Sequence, residues 1–174
     1  MKDDQLPGQR RCATGNRYAL PQILVHWLVV LLVLAQVWTS GGIGRSHADH
    51  IAGIEPASYD LLLHELHTFG GLAIFGLVVL RILMRLVFGA PSAPRNVHRF
   101  IQMLAVANHL ALYAVLLALP AIGLLARYID FDIFGPVHVA LTRLLLVLVA
   151  AHIAAALWHM LIRRDAVVSR MLPG

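Results

Sequence analysis

Histidine has the widest chemical reach of any side chain in this sequence, and there are ten of them against nine acids. Neutral imidazole offers a nitrogen lone pair near physiological pH, which makes it the commonest metal ligand among side chains. Seven of the ten, His26, His64, His67, His109, His138, His152 and His159, lie in or beside long apolar runs. His138 and His152 are 14 residues apart. On a helix that spacing falls about 40° short of four turns, so both rings leave one face about 21 Å apart along the axis. One metal cannot bridge that distance, so two separate sites are expected.

The elements that must position these rings follow from composition. Of 174 residues, 59% are hydrophobic and 13% charged, with a mean hydropathy of +0.75. A soluble domain carries roughly twice that charge, and a core of this size could not bury so much apolar surface. Spans of about 20 apolar residues cross a bilayer. Four are expected, approximately Pro21–Ser40, Leu61–Phe88, Ile101–Ala126 and Val137–Ile162, within one domain over residues 1–174. Gly41-Gly42-Ile43-Gly44 is expected to end the first span, Gly89 to Pro94 the second, and Phe134-Gly135-Pro136 to introduce the fourth. The first 20 residues are charged and lack an apolar stretch, unlike a cleavable signal peptide. The lone Cys12 cannot form an internal disulfide, and there is no CxxCH motif for covalent heme attachment.

The net charge of +5 is a topology signal. Eleven of the 14 basic residues, Lys2, Arg10, Arg11, Arg17, Arg81, Arg85, Arg95, Arg99, Arg163, Arg164 and Arg170, fall on the side of the two termini. Arg45 and Arg127 face the other side beside Asp49, Glu55, Asp60, Glu65, Asp130 and Asp132. The positive-inside rule then puts both termini in the cytoplasm, and the basic surplus gives no reason to expect a nucleic-acid partner. Arg143 lies inside the fourth span, where it either snorkels to the outer interface or serves a functional role.

Antiparallel spans bring ligands into register. His26, near the cytoplasmic start of span one, lies level with His152 near the cytoplasmic end of span four. His67, near the outer start of span two, lies level with His138 near the outer start of span four. His64, one turn earlier, is the rival of His67, which is deeper and adjoins Gly70-Gly71. Paired imidazoles with no cysteine or carboxylate at their level suit a six-coordinate heme b, whereas tetrahedral zinc wants more ligands. The expected fold is an all-α membrane protein, a four-transmembrane-helix up-down bundle holding two b hemes.

These residues resemble the bacterial cytochrome b561 family along essentially the whole membrane portion. The resemblance is carried by Gln22-Ile-Leu-Val-His26-Trp27, Leu66-His67 through Arg81-Ile-Leu-Met-Arg85, His109 through Tyr113 with Ala118-Leu-Pro120, and His152-Ile-Ala-Ala-Ala-Leu-Trp-His159 followed by Arg164-Asp165 and Met171-Leu172-Pro173. The resemblance implies the same axial pairs, His26 with His152 and His67 with His138, and no ligand from span three. It implies a bacterial inner-membrane location and electron transfer through two hemes to or from the quinone pool. One branch looks like a superoxide oxidase, taking an electron from superoxide at the periplasmic face and reducing ubiquinone nearer the cytoplasmic heme.

On that resemblance His159 belongs to the quinone end. A heptad past His152 puts it about 20° from the same face and about 10.5 Å further along, where it could donate a proton to a quinone carbonyl. Arg45, Arg127 and Arg143, with His47 and His50, could attract a small anion or pair with heme propionates, against the pull of the surrounding acids. Two other readings stand beside this one. The bundle could be an anchor subunit passing electrons between a partner dehydrogenase and quinone, or a His-lined metal or proton transporter.

Overall fold

The computed structural model describes residues 17–91 and 97–172. The sequence features at Lys2, Asp3, Asp4, Arg10, Arg11, Cys12, Pro94, Arg95 and Pro173 lie outside the described residues. Four long helices make up the fold: α1 over Leu20–Ile51, α2 over Ser58–Phe88, α3 over Arg99–Tyr128 and α4 over Phe131–Trp158. A π-helical turn, His159–Arg163, continues α4, and a 3-10 turn covers Ser169–Met171. The four α-helices are long and apolar enough to cross a membrane. Helices answer the bilayer's demand that every backbone N–H and C=O be satisfied within its own segment.

The bundle is polarised as expected for lipid. Among the described residues its buried hydrophobics are few, and six of them form two clusters, Val29 with Ile74 and Val78, and Val115 with Leu119 and Leu145. Large apolar side chains such as Leu31, Leu34, Leu86, Val87 and Val147 point outward. Consecutive helices run antiparallel; α1 packs mainly on α2 and α3 mainly on α4, with a lighter α2–α3 contact joining the two hairpins.

The helices are longer than the apolar runs. α1 does not end at Gly41-Gly42-Ile43-Gly44 but continues to Ile51. Gly42 instead marks a close helix crossing: a side chain there would run into Leu63 and into the Asp60 carbonyl oxygen of α2. Small residues let helix backbones approach in this way inside a membrane. One turn on, Arg45 Nε and Nη2 donate to Asp60 Oδ1 at 2.9 and 2.5 Å, pinning the same crossing. α4 likewise begins earlier than expected, at Phe131, where Asp130 Oδ1 accepts from Ile133 N at 3.0 Å and caps the helix. Pro136 therefore lies inside α4 rather than before it.

At the terminal side, Gln22 Oε1 accepts from Ala19 N at 3.1 Å, and Gln22 Nε2 donates to the Gly89 carbonyl at 3.1 Å. Trp27 Nε1 donates to the Met171 carbonyl at 2.9 Å, tying the C-terminal segment back onto α1.

Gly42→Val is expected to overpack the α1–α2 crossing and cost about 1–3 kcal/mol. The check is thermal unfolding of the detergent-solubilised protein, in which Gly44→Val, facing open space, should have the smaller effect.

Candidate functional site

The structure brings four histidines together in two pairs. His26 of α1 meets His152 of α4 with ring centroids 6.4 Å apart, and His67 of α2 meets His138 of α4 at 6.1 Å. Metal–imidazole bonds of about 2 Å and a ring radius of about 1.1 Å put two coaxial axial imidazoles about 6.2 Å apart, so both separations fit an iron held between the rings. All four rings are half-buried.

Hydrogen bonding assigns the tautomers of the His67–His138 pair. The Thr39 hydroxyl donates to Ala35 O at 2.9 Å, with Gln36 O at 3.2 Å, so its lone pairs must accept from His67 Nδ1 at 3.1 Å. His138 Nδ1 lies 3.1 Å from the Leu119 carbonyl, which can only accept. In both rings the proton is therefore on Nδ1, and Nε2 keeps the lone pair a metal requires. Gly123 of α3 makes room for His138: a Cβ there would crowd the ring at 3.2 Å.

Around the His67–His138 pair lies a cavity of about 1010 Å³ whose walls include His47, His50, His64, Gly71, Arg127 and Arg143. Volume and lining suit a large planar group. Of the two glycines next to His67, Gly71 faces open space, but the position of a Gly70 Cβ is taken by the Gln36 amide. Gly70 thus accommodates a neighbouring helix rather than a cofactor. His64 shares the cavity wall, while His67 is the ring set against His138.

Arg45 and Arg127 are less free than the sequence suggests. Arg45 is held by Asp60, and Arg127 donates to Glu65 Oε1 at 2.5 Å and to Thr68 Oγ1 at 2.6 Å. Among the described residues Arg143 has no carboxylate partner, and it is exposed on the cavity wall. The remaining histidines also find places. His47 stacks on Phe131 at 3.8 Å, and His98 caps α3 by accepting from Phe100 N at 3.3 Å. His109 places its ring edge-on to His152 at 5.1 Å while its Nδ1 donates to Ala105 O at 2.6 Å.

His159 opens the π-helical turn, a feature that often marks functional positions. The turn ends at Arg164, whose left-handed φ of 51° folds the chain back so that Asp165 N reaches the His159 carbonyl at 3.2 Å. His159 Nδ1 then donates to Asp165 Oδ2 at 2.7 Å, and Val167 N donates to Asp165 Oδ1 at 3.2 Å. Burial alone would raise the Asp165 carboxyl, but the His159 and Val167 bonds outweigh it and hold Asp165 below the usual carboxylate range. His159 Nε2 is left available for proton exchange. Sequence reasoning missed Thr39, Gly123 and Asp165 because each acts across a tertiary contact or a helix distortion.

A four-helix membrane bundle with two edge-on imidazole pairs is the framework of a membrane b-type cytochrome. The family model for prokaryotic cytochrome b561 matches residues 17–174, and the chain belongs to that family. It is 29% identical to a Yersinia pestis protein named "Probable superoxide oxidase CybB", over 91% of this chain and 97% of the relative. It is 28% identical to cytochrome b562 of Cereibacter sphaeroides, over 89% and 94% of the two chains. Cytochrome b561 homolog 1 of Escherichia coli is 25% identical, over 91% and 98%. The protein is thus a multi-pass bacterial membrane protein that transfers electrons through b-type heme.

Because Asp165 is depressed in the folded protein, its contribution to the terminal turn is present above its ordinary value, about 3.9. The contribution is lost as pH falls through the lower, folded value. Amide protection factors across residues 159–168, corrected for the intrinsic pH dependence of exchange, should therefore fall in acid, and Asp165→Asn should show that lower protection already at neutral pH.

Proposed function

We propose that the protein carries two b hemes, one between His26 and His152 and one between His67 and His138, and moves electrons between the outer face and the quinone pool. The observation that carries this reading is the separation of the two ring pairs, 6.4 and 6.1 Å, each matching two imidazoles on one iron. Bound heme supplies reversible one-electron chemistry at its iron. The chain supplies the rest. Its helices hold the rings in register, the Nδ1 bonds aim the outer lone pairs, and the apolar shell excludes water.

Both termini lie in the cytoplasm on this reading, which rests on the basic surplus at that side of the helices. The His67–His138 site then faces the periplasm. Superoxide is the donor, supported by the name of the Yersinia relative. On losing one electron it becomes dioxygen. Arg143, the cation without a carboxylate partner on the outer cavity wall, provides attraction for a small anion there.

At the cytoplasmic end the acceptor is ubiquinone, which takes up two electrons and two protons. His159 hands over protons from Nε2, and Asp165 keeps the ring oriented through its hydrogen bond to Nδ1. Asp165 is thus a positioning residue for His159.

Purified protein should show a low-spin bis-histidine b spectrum with two hemes per chain. His138→Ala and His152→Ala should each reduce heme content to one, and retention of two hemes in either variant would refute the site. Stopped-flow mixing of oxidised protein with superoxide should reduce the heme and, with ubiquinone present, yield quinol. His159→Ala should slow quinol formation by about 10²-fold or more while leaving the heme spectrum unchanged.

A further inference from the structure

The two histidine pairs differ in how their outward ring nitrogens are held. At His67–His138 both Nδ1–H groups are spent on oxygen acceptors, Thr39 Oγ1 and the Leu119 carbonyl, each at 3.1 Å. At His26–His152 neither ring makes a hydrogen bond among the described residues. Their ring neighbours are Trp27, on His26, and His109, edge-on to His152 with its own Nδ1 committed to Ala105.

The charges differ too. Arg81 of α2 reaches in beside the His26–His152 pair, and its charge acts on both rings. Its hydrogen-bond partners are neutral: the Tyr113 hydroxyl at 3.3 Å and the Gln22 carbonyl at 3.4 Å, one turn before His26. Among the described residues no carboxylate offsets this half-buried cation. At the other pair, Arg127 is tied to Glu65. Arg143 lines that cavity but is exposed, whereas Arg81 is half-buried.

Both differences have the same sign. An axial imidazole that donates its N–H to an oxygen is the more basic ligand and favours ferric iron, lowering the reduction potential. An uncompensated cation favours the ferrous state, which carries one positive charge fewer, and raises it. We infer that Thr39 and the Leu119 carbonyl set the His67–His138 site at the lower potential and Arg81 sets the His26–His152 site at the higher. An electron given up at the first site and accepted at the second moves downhill, so the direction of transfer is built into the two ligand environments. This inference rests on the two-heme reading above.

The test is a spectroscopically monitored redox titration of the detergent-solubilised holoprotein. Thr39→Val, which removes the acceptor, should raise the lower of the two midpoint potentials and leave the upper one in place; Thr39→Ser should restore it. Arg81→Gln should lower the upper potential alone, and Arg81→Lys, which keeps the charge, should restore it. The inference is overturned if Thr39→Val moves the upper potential, if Arg81→Gln moves the lower, or if either variant shifts neither. A wild-type protein without two bis-histidine hemes overturns the reading beneath it as well; two hemes with unmoved potentials overturn this inference alone.

Discussion

In hydrocarbon, a histidine ring has no water to satisfy its nitrogens, and this constraint organises the bundle. Each ring has one N–H to donate and one lone pair to place, and the cost of leaving either unmet is far higher than at a wet surface. At the His67–His138 pair the protein spends the N–H of each ring on an oxygen of a neighbouring helix, which leaves the lone pair of each ring on Nε2. The polar cost of burial is thereby met across helices.

Helix packing serves that register. Gly42 lets α1 and α2 cross closely, and Arg45 with Asp60 fixes the crossing near the outer end. Arg127 reaches from α3 to Glu65 and Thr68 of α2. Gly123 makes a berth for His138, so that α3, which contributes no ring to either pair, still sets the position of one. The terminal side is closed by Trp27 on Met171 and by the π-helical turn that folds Asp165 onto His159. Two ends of one bundle thus carry different chemistry: a cavity lined by Arg127 and Arg143 at one, and a histidine–carboxylate pair at the other.

The four spans were legible because hydropathy is a local property that a bilayer reads directly, and the His26–His152 and His67–His138 pairings followed from depth on antiparallel helices. Helix ends were harder. Gly41 to Gly44 looks like a terminator in one dimension, but a glycine stretch also serves where a second helix must come close, and only the position of Leu63 separates the two cases. Gly70 posed the same ambiguity, and in space the Gln36 amide lies against it. Arg45 and Arg127, which looked available to an anion, proved to be tied across helices because Asp60, Glu65 and Thr68 lie within reach in space.

By itself, the sequence determined that the chain is a helical membrane bundle and which histidines share a depth, since both follow from residue type and a constant rise per residue. Tertiary structure alone decided how those histidines are held. Hydrogen bonds to Thr39 and Leu119, the approach of Arg81 and the return of Asp165 to His159 depend on which side chains meet across helices or after a π-helical turn. Those contacts have no fixed separation along the chain, and no periodicity encodes them.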